Sequence, residues 1–245
     1  MIKNFIIIIL VLLLAFVLTI DKIAERAVEK AWEYWLGTKM DIGSVDVNLL
    51  EAAIDIRDVK FYNPEGFTFP LMADVPRIYI NFSPVRLIKK EFYFEKFALY
   101  IKEFNTVRNE RGKVNIDLLK PIKDKEEGIQ FLEAEGTEVP NMMIGELHLK
   151  ADRAFYRNYT KPPEQRVTVF EVNIDETYYR IKDPYTLVRL IIARVLDNTS
   201  MSGIVEMPMN EVNRIMKSGR SALGGAANAA TGLFQNSVGK IKEVL

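Results

Sequence analysis

The chain has 245 residues, with 33 basic side chains against 33 acidic, no cysteine and a single histidine. A formal net charge of zero removes the long-range attraction that non-specific nucleic-acid binding needs, so no nucleic-acid partner is expected. Without cysteine there is no disulfide framework, thiolate metal site or cysteine nucleophile, and one histidine leaves little metal or triad chemistry to build.

The amino-terminal stretch is the most informative. Phe5 to Ile20 is an unbroken apolar run without charge, glycine or proline, marked turn by turn by Phe5, Ile9, Leu13, Phe16 and Ile20. As a helix it covers roughly 24 Å, near the short end of what spans a hydrocarbon core of about 30 Å. The expectation is a transmembrane anchor over 1–20. A cleaved signal peptide is the rival, but Asp21-Lys22-Ile23-Ala24-Glu25-Arg26 offers no convincing small-x-small cleavage site. Lys3 on one side faces Lys22, Arg26, Lys30 and Lys39 on the other, and this flanking charge does not decide orientation for a long folded segment.

Helical spacing continues through Ile23, Ala24, Ala27, Val28, Ala31, Trp32 and Trp35, which predicts a connecting amphipathic helix over 21–37 that docks on the domain. Trp32, Tyr34 and Trp35 serve that packing or an interfacial belt, and Gly37 supplies the stop.

From Met40 the period becomes two. Ile54 and Ile56, then Val59 and Phe61 after a bulge at Arg57-Asp58, form one strand; Ile78, Ile80 and Phe82 form another; Phe92 and Phe94, then Phe97, Leu99 and Ile101, form a third. Asp55, Lys60, Arg77, Tyr79, Asn81, Tyr93, Tyr100 and Lys102 occupy the opposite face, the pattern of an antiparallel sheet with one side in water. Turns fall at Asn63-Pro64-Glu65-Gly66, Ser83-Pro84 and Asn109-Glu110-Arg111-Gly112.

With these segments in order, the chain resembles the AsmA-like family. The resemblance rests on the amino-terminal apolar run, Ile42-Gly43-Ser44, Asp58-Val59-Lys60-Phe61-Tyr62-Asn63-Pro64-Glu65-Gly66-Phe67, Ser83-Pro84-Val85-Arg86-Leu87-Ile88 and Asn109-Glu110-Arg111-Gly112-Lys113-Val114-Asn115-Ile116, and covers about 1–119. Ile116 stands where many members carry an aromatic, and the chain is far shorter than the long members. The resemblance implies a bacterial inner-membrane, single-pass protein with a periplasmic domain, related to β-groove lipid-transfer proteins. It implies a long curved antiparallel sheet whose apolar face, Ile54, Ile56, Ile78, Ile80, Phe82, Phe92, Phe94, Phe97, Leu99 and Ile101, contacts phospholipid acyl chains. The residues by themselves equally accommodate a closed core.

A polar connection over about 121–140, with one short helix around Ile129 to Leu132, separates a second sheet segment. Met143-Ile144-Gly145-Glu146-Leu147-His148-Leu149 echoes Asp41-Ile42-Gly43-Ser44-Val45-Asp46-Val47, as a weak repeat or a shared strand-start device. His148 falls on the wet face with Glu146 and Lys150. Strands from Ile144 to Tyr156 and from Arg166 to Ile181 make a hairpin that extends the sheet, closing an AsmA-like β domain over 38–182. Arg153, Tyr156, Arg157, Tyr159 and Arg166 are either solvated or an anion site.

Asp183-Pro184 opens a helix that ends at Asp197-Asn198 and is positioned to cap the sheet's open end, within a carboxy-terminal helical region over 183–245. From Met209 the apolar spacing is helical but broken by five glycines, Gly219, Gly224, Gly225, Gly232 and Gly239, so the segment is a packed, bilayer-lying or mobile amphipathic helix and not a second span. The fold class expected is therefore mainly β with flanking α. No nucleophile-base pair, phosphate loop or metal spacing stands out, so neither enzymatic activity nor a cofactor is expected. Two functions remain: lipid contact through the apolar face, or a scaffold that binds an envelope protein partner.

Overall fold

The structure is a computed structural model that describes residues 21–30, 32–33, 36–89, 91–119, 122, 142–161, 164–199 and 201. The apolar run with its anchor residues, the short helix in the 121–140 connection and the stretch beyond Met201 lie outside these residues. Among the described residues no helix is long and apolar enough to cross a membrane.

Helix α1 runs over 21–30, with 32, 33 and 36 also helical, and turns at Gly37, whose φ of 74° lets its N–H reach the Glu33 carbonyl at 2.9 Å. Its docking is visible at Trp32. The indole stacks on Phe61 with ring centroids 4.1 Å apart and donates to Thr38 Oγ1 at 3.1 Å.

Among the described residues seven strands follow in a single sheet: β1 (Met40–Asp41), β2 (Ser44–Asn48), β3 (Ala53–Tyr62), β4 (Leu71–Phe82), β5 (Phe92–Arg108), β6 (Met142–Lys161) and β7 (Glu164–Ile181). Helix α2 (Pro84–Ile88) joins β4 to β5. The order is β1-β3-β4-β5-β6-β7, with β2 also on β3. The sheet is mixed, which corrects the wholly antiparallel expectation: β5 and β6 run parallel, Phe92 opposite Met142 through Arg108 opposite Asn158. Parallel neighbours need a crossover of at least about a dozen residues, and the connection over 109–141 provides it. The charge pattern of that connection hid its topological role.

Core-facing residues change parity along the strands, and they do so in step. Along β5 they are Phe94, then Phe97, Leu99 and Ile101, then Phe104; along β6 they are Ile144, then Leu147, Leu149 and Ala151, then Ala154. Pairing between these strands skips Glu95 with Gly145, and again Lys102 with Asp152. The first interruption continues into β7 at Arg180 (φ 60°) and the second at Asn173 (φ 46°). In the other direction the second row passes Pro76, which has no N–H to donate, and Asp58 (φ 55°). It ends at the gap between β1 and β2, where the Gly43 N–H reaches the carbonyls of Arg57 at 3.1 Å and Asp58 at 3.2 Å. Two rows of irregularity therefore cross the sheet about 23 Å apart, counted from Glu95 to Lys102 at about 3.3 Å per residue. Such interruptions bend strands and sharpen their twist, and because paired neighbours share them the apolar side chains stay on one face. Gly43 and Gly145 both sit on these rows, so the echo between their segments is a common strand device. A Cβ on Gly43 would lie 2.7 Å from the Asp58 Cβ, and one on Gly145 would lie 3.0 Å from the Glu95 carbonyl oxygen.

Helix α3 (Pro184–Asp197) starts where Asp183 accepts the Thr186 N–H at 2.7 Å, with Pro184 pre-set for the first turn. It covers the middle of the apolar face rather than capping the sheet's end. Leu190, Ile192, Ala193, Val195 and Leu196 are buried in one cluster with Ile144, Leu147, Leu149 and Ile174. Burying each of these leucine, isoleucine or valine side chains stabilises by about 1.5–3 kcal/mol. The Asn198 amide then bonds the Val172 carbonyl at 2.9 Å, fastening the helix end to β7.

Candidate functional site

The apolar sheet face divides into a closed middle and a partly open end. Ile56, Ile78, Leu99 and Ile101 are buried in the central cluster beneath α1 and α3. Ile54, Ile80, Phe94 and Phe97 are partly buried against that cluster, with the Phe94 and Phe97 rings edge to face at 6.4 Å. Phe82 is half-buried, and Phe92 is exposed. All six of the less buried residues lie toward the end where β4 finishes and β5 begins. Sequence spacing grouped the ten residues on one face, and the structure separates them by depth.

Between the sheet, α1 and α3 lies a cavity of ≈ 110 Å³ whose lining is apolar throughout, including Trp32, Phe61, Phe97, Leu99, Val188 and Ile191. Small-molecule sites run to about 300–1,000 Å³, so this space is a packing defect, not an acyl-chain tunnel.

At the opposite end of β5 the residues of the two family-like turns form a clasp. Asn115 is fully buried; its Oδ1 accepts the Val107 N–H at 2.8 Å, and its Nδ2 donates to Asn63 Oδ1 at 2.6 Å and to the Asn105 carbonyl at 2.8 Å. Asn63 Nδ2 donates in turn to the Phe69 carbonyl at 2.7 Å, and Asn109 Nδ2 to the Gly66 carbonyl at 3.2 Å. Arg157 donates from Nε to Asn105 Oδ1 at 2.8 Å and lies over the Phe69 ring at 3.8 Å. Buried amides satisfied in this way hold the 63–70 loop against the 109–116 turn. The asparagines that carry the family resemblance thus have a structural use here. An adjoining cleft of ≈ 480 Å³ is lined by residues including Glu65, Glu110, Arg111 and Lys113, whose charges balance, and the Asn109 side chain within it is committed through Oδ1 to its own turn and through Nδ2 to Gly66.

Among the basic residues of β6, Arg153 and Arg157 share the Phe155 ring, with the Arg157 guanidinium 5.2 Å from its centre. Arg157 belongs to the clasp, Tyr156 accepts from Arg108 Nε at 3.1 Å, Arg153 lies 5.7 Å from the Phe155 ring centre, and Arg166 is exposed. His148 is exposed on the wet face and contacts Asp175 at 2.7 Å. Among the described residues the most buried charge is Arg194 on α3, which bonds Glu176, the Tyr178 hydroxyl at 2.9 Å and Asp197 at 2.8 Å. Burial, reinforced by the hydrogen bond to Glu176, pushes the Tyr178 hydroxyl far above its ordinary range, so it remains a donor. Among the described residues no three metal-ligating side chains come together.

Comparison of the chain with protein-family models, with characterised proteins and with solved structures returns no match. The AsmA-like resemblance therefore stands on the quoted residues alone.

One surface escaped the sequence reading. Ser83-Pro84 was expected as a turn, yet it opens α2, whose Val85, Leu87 and Ile88 are exposed. A proline at the first helical position followed by three aliphatics was the available signal.

Proposed function

We propose that the chain is a non-enzymatic, membrane-anchored envelope protein of the AsmA-like kind, held in a bacterial inner membrane by its 5–20 run with the β domain in the periplasm. Its role is to contact or hand on phospholipid acyl chains at the uncovered end of its sheet, in support of envelope lipid homeostasis. The observation that supports this is the continuity of the apolar face beyond its closed middle: Phe82, Phe92 and Phe94 extend it toward the end where α1 begins at Asp21. Apolar surface left uncovered on a folded domain marks an interaction site.

A scaffold role for a protein partner on the same end is the second reading, favoured by the absence of any acyl-chain-sized cavity beneath α3 among the described residues. Native mass spectrometry of the full chain, purified in mild detergent, separates them. Phospholipid held in stoichiometric amount by the parent, and lost from a folded Phe92→Asp, Phe94→Asp variant, is the expected result; a lipid-free folded parent would favour the scaffold.

A further inference from the structure

The connections at one end of the sheet hold apolar side chains where turns ordinarily place polar ones. The β2–β3 turn presents Leu49 and a fully exposed Leu50 (100 %), while α2 presents Val85, Leu87 and Ile88 (85 % exposed) and buries none of its residues. Phe92 continues the patch at the start of β5. These segments are stitched together by the backbone: the Phe82 N–H donates to the Ala52 carbonyl at 2.9 Å and the Ser83 N–H to the Tyr93 carbonyl at 3.1 Å. Helix α1 starts at the same end, because Asp21 accepts the Val47 N–H at 3.0 Å, two residues before Leu49. In sequence, Asp21 follows directly on Ile20, the last residue of the apolar run.

We propose that the β2–β3 turn and α2 form a bilayer-docking patch, seated in the headgroup and acyl-chain boundary of the membrane that the amino-terminal run enters. The proposal rests on the membrane-anchor reading and deepens it by naming the surface that faces the lipid. Its chemistry fits that occupant. Exposed aliphatic side chains supply the buried area, and Arg86 and Lys89 supply cationic heads on apolar stems, with no acidic residue in the helix's first turn. Arg86 is held in place by stacking over the Tyr93 ring at 4.1 Å. Glu51 and Glu91 flank the patch and offset Arg86 and Lys89, so the apolar side chains drive docking. Docked in this way, the partly open end of the sheet face, Phe92 included, opens onto the bilayer.

The chain has no native cysteine, so a single introduced one can carry a polarity-sensitive fluorophore without competition. Full-length Leu50→Cys and Ile88→Cys would be labelled and reconstituted into phosphatidylcholine vesicles containing phosphatidylglycerol and shallow spin-labelled lipid. Glu110→Cys, in the turn after β5 and so at the other end of the sheet, is the reference. The expected result is blue-shifted, lipid-quenched emission at 50 and 88, with the probe at 110 unshifted and unquenched. Co-flotation of the unlabelled chain with the vesicles is scored separately. Flotation with unquenched probes at 50 and 88 overturns the patch while leaving the anchor standing, and quenching at only one of them overturns it as a single surface. Equal quenching at 110 overturns it as a specific docking site. A blue shift without lipid quenching assigns the patch to a second copy or another protein. Absence of flotation overturns both the patch and the anchor.

Discussion

Arg57 and Arg77 face each other directly across β3 and β4, an arrangement of like charges that by itself destabilises a sheet. Asp55 resolves it by bonding both guanidiniums, at 2.8 Å and 3.0 Å. Burial works against its carboxylate, but the bonds to Arg57 and Arg77 outweigh that and hold its pKa below the ordinary 3.8. A folded pKa below the unfolded one means that the contribution is fully present above the unfolded value and is lost as pH falls through the lower, folded value. Asp55→Asn is therefore expected to lower stability near neutral pH by no more than about 1 kcal/mol, given solvent screening, and to match the parent in strong acid. Urea titrations at the two extremes check this. At this scale the sequence was readable in part: alternation placed Asp55 and Arg77 on the wet face, whereas the fate of Asn63, Asn105 and Asn115 was not readable. Their clasp joins residues far apart in the chain, and no local periodicity encodes such a contact.

Elements in this fold are defined as much by their shared interruptions as by their hydrogen bonds. The bulge expected at Arg57-Asp58 is one member of a row that runs from Gly43 to Asn173. Spacing within each strand carried that information, since Phe94 to Phe97 and Ile56 to Val59 each break strict alternation. What it did not carry was alignment between strands, because register depends on the partner. Gly43→Ala brings a Cβ within 2.7 Å of the Asp58 Cβ, a backbone-anchored neighbour that cannot swing aside. The expected cost is about 1–3 kcal/mol, as for an overpacked core, read as a lowered denaturation midpoint with an unchanged slope.

Over the whole molecule, β content, the hairpin of β6 and β7, and the helix from Pro184 to Asp197 were legible in patterning and turn chemistry. The parallel junction between β5 and β6 was not, because a polar connection reads alike whether the chain returns beside its start or turns back. Depth was equally hidden, since a helix must be placed before a strand residue can be buried. The division into a closed middle and an open end makes a direct prediction: Leu99→Asp puts a charge into the sealed cluster and abolishes cooperative folding, whereas Phe92→Asp leaves a folded chain. Circular dichroism through a thermal ramp distinguishes them. The parallel junction also bears on how quickly this chain acquires its structure. Every pair across it joins residues 50 apart in sequence, as Phe92 with Met142 and Leu99 with Leu149, so the two halves of the sheet meet only after a long excursion has closed. Loop-closure entropy rises slowly with length, so lengthening that excursion changes equilibrium stability little. Non-local pairing nevertheless slows folding. The strands before Asn109 and the later hairpin are thus expected to nucleate separately and dock slowly, leaving the β5 edge unpaired meanwhile; a refolding rate that rises when the connection is shortened would check this.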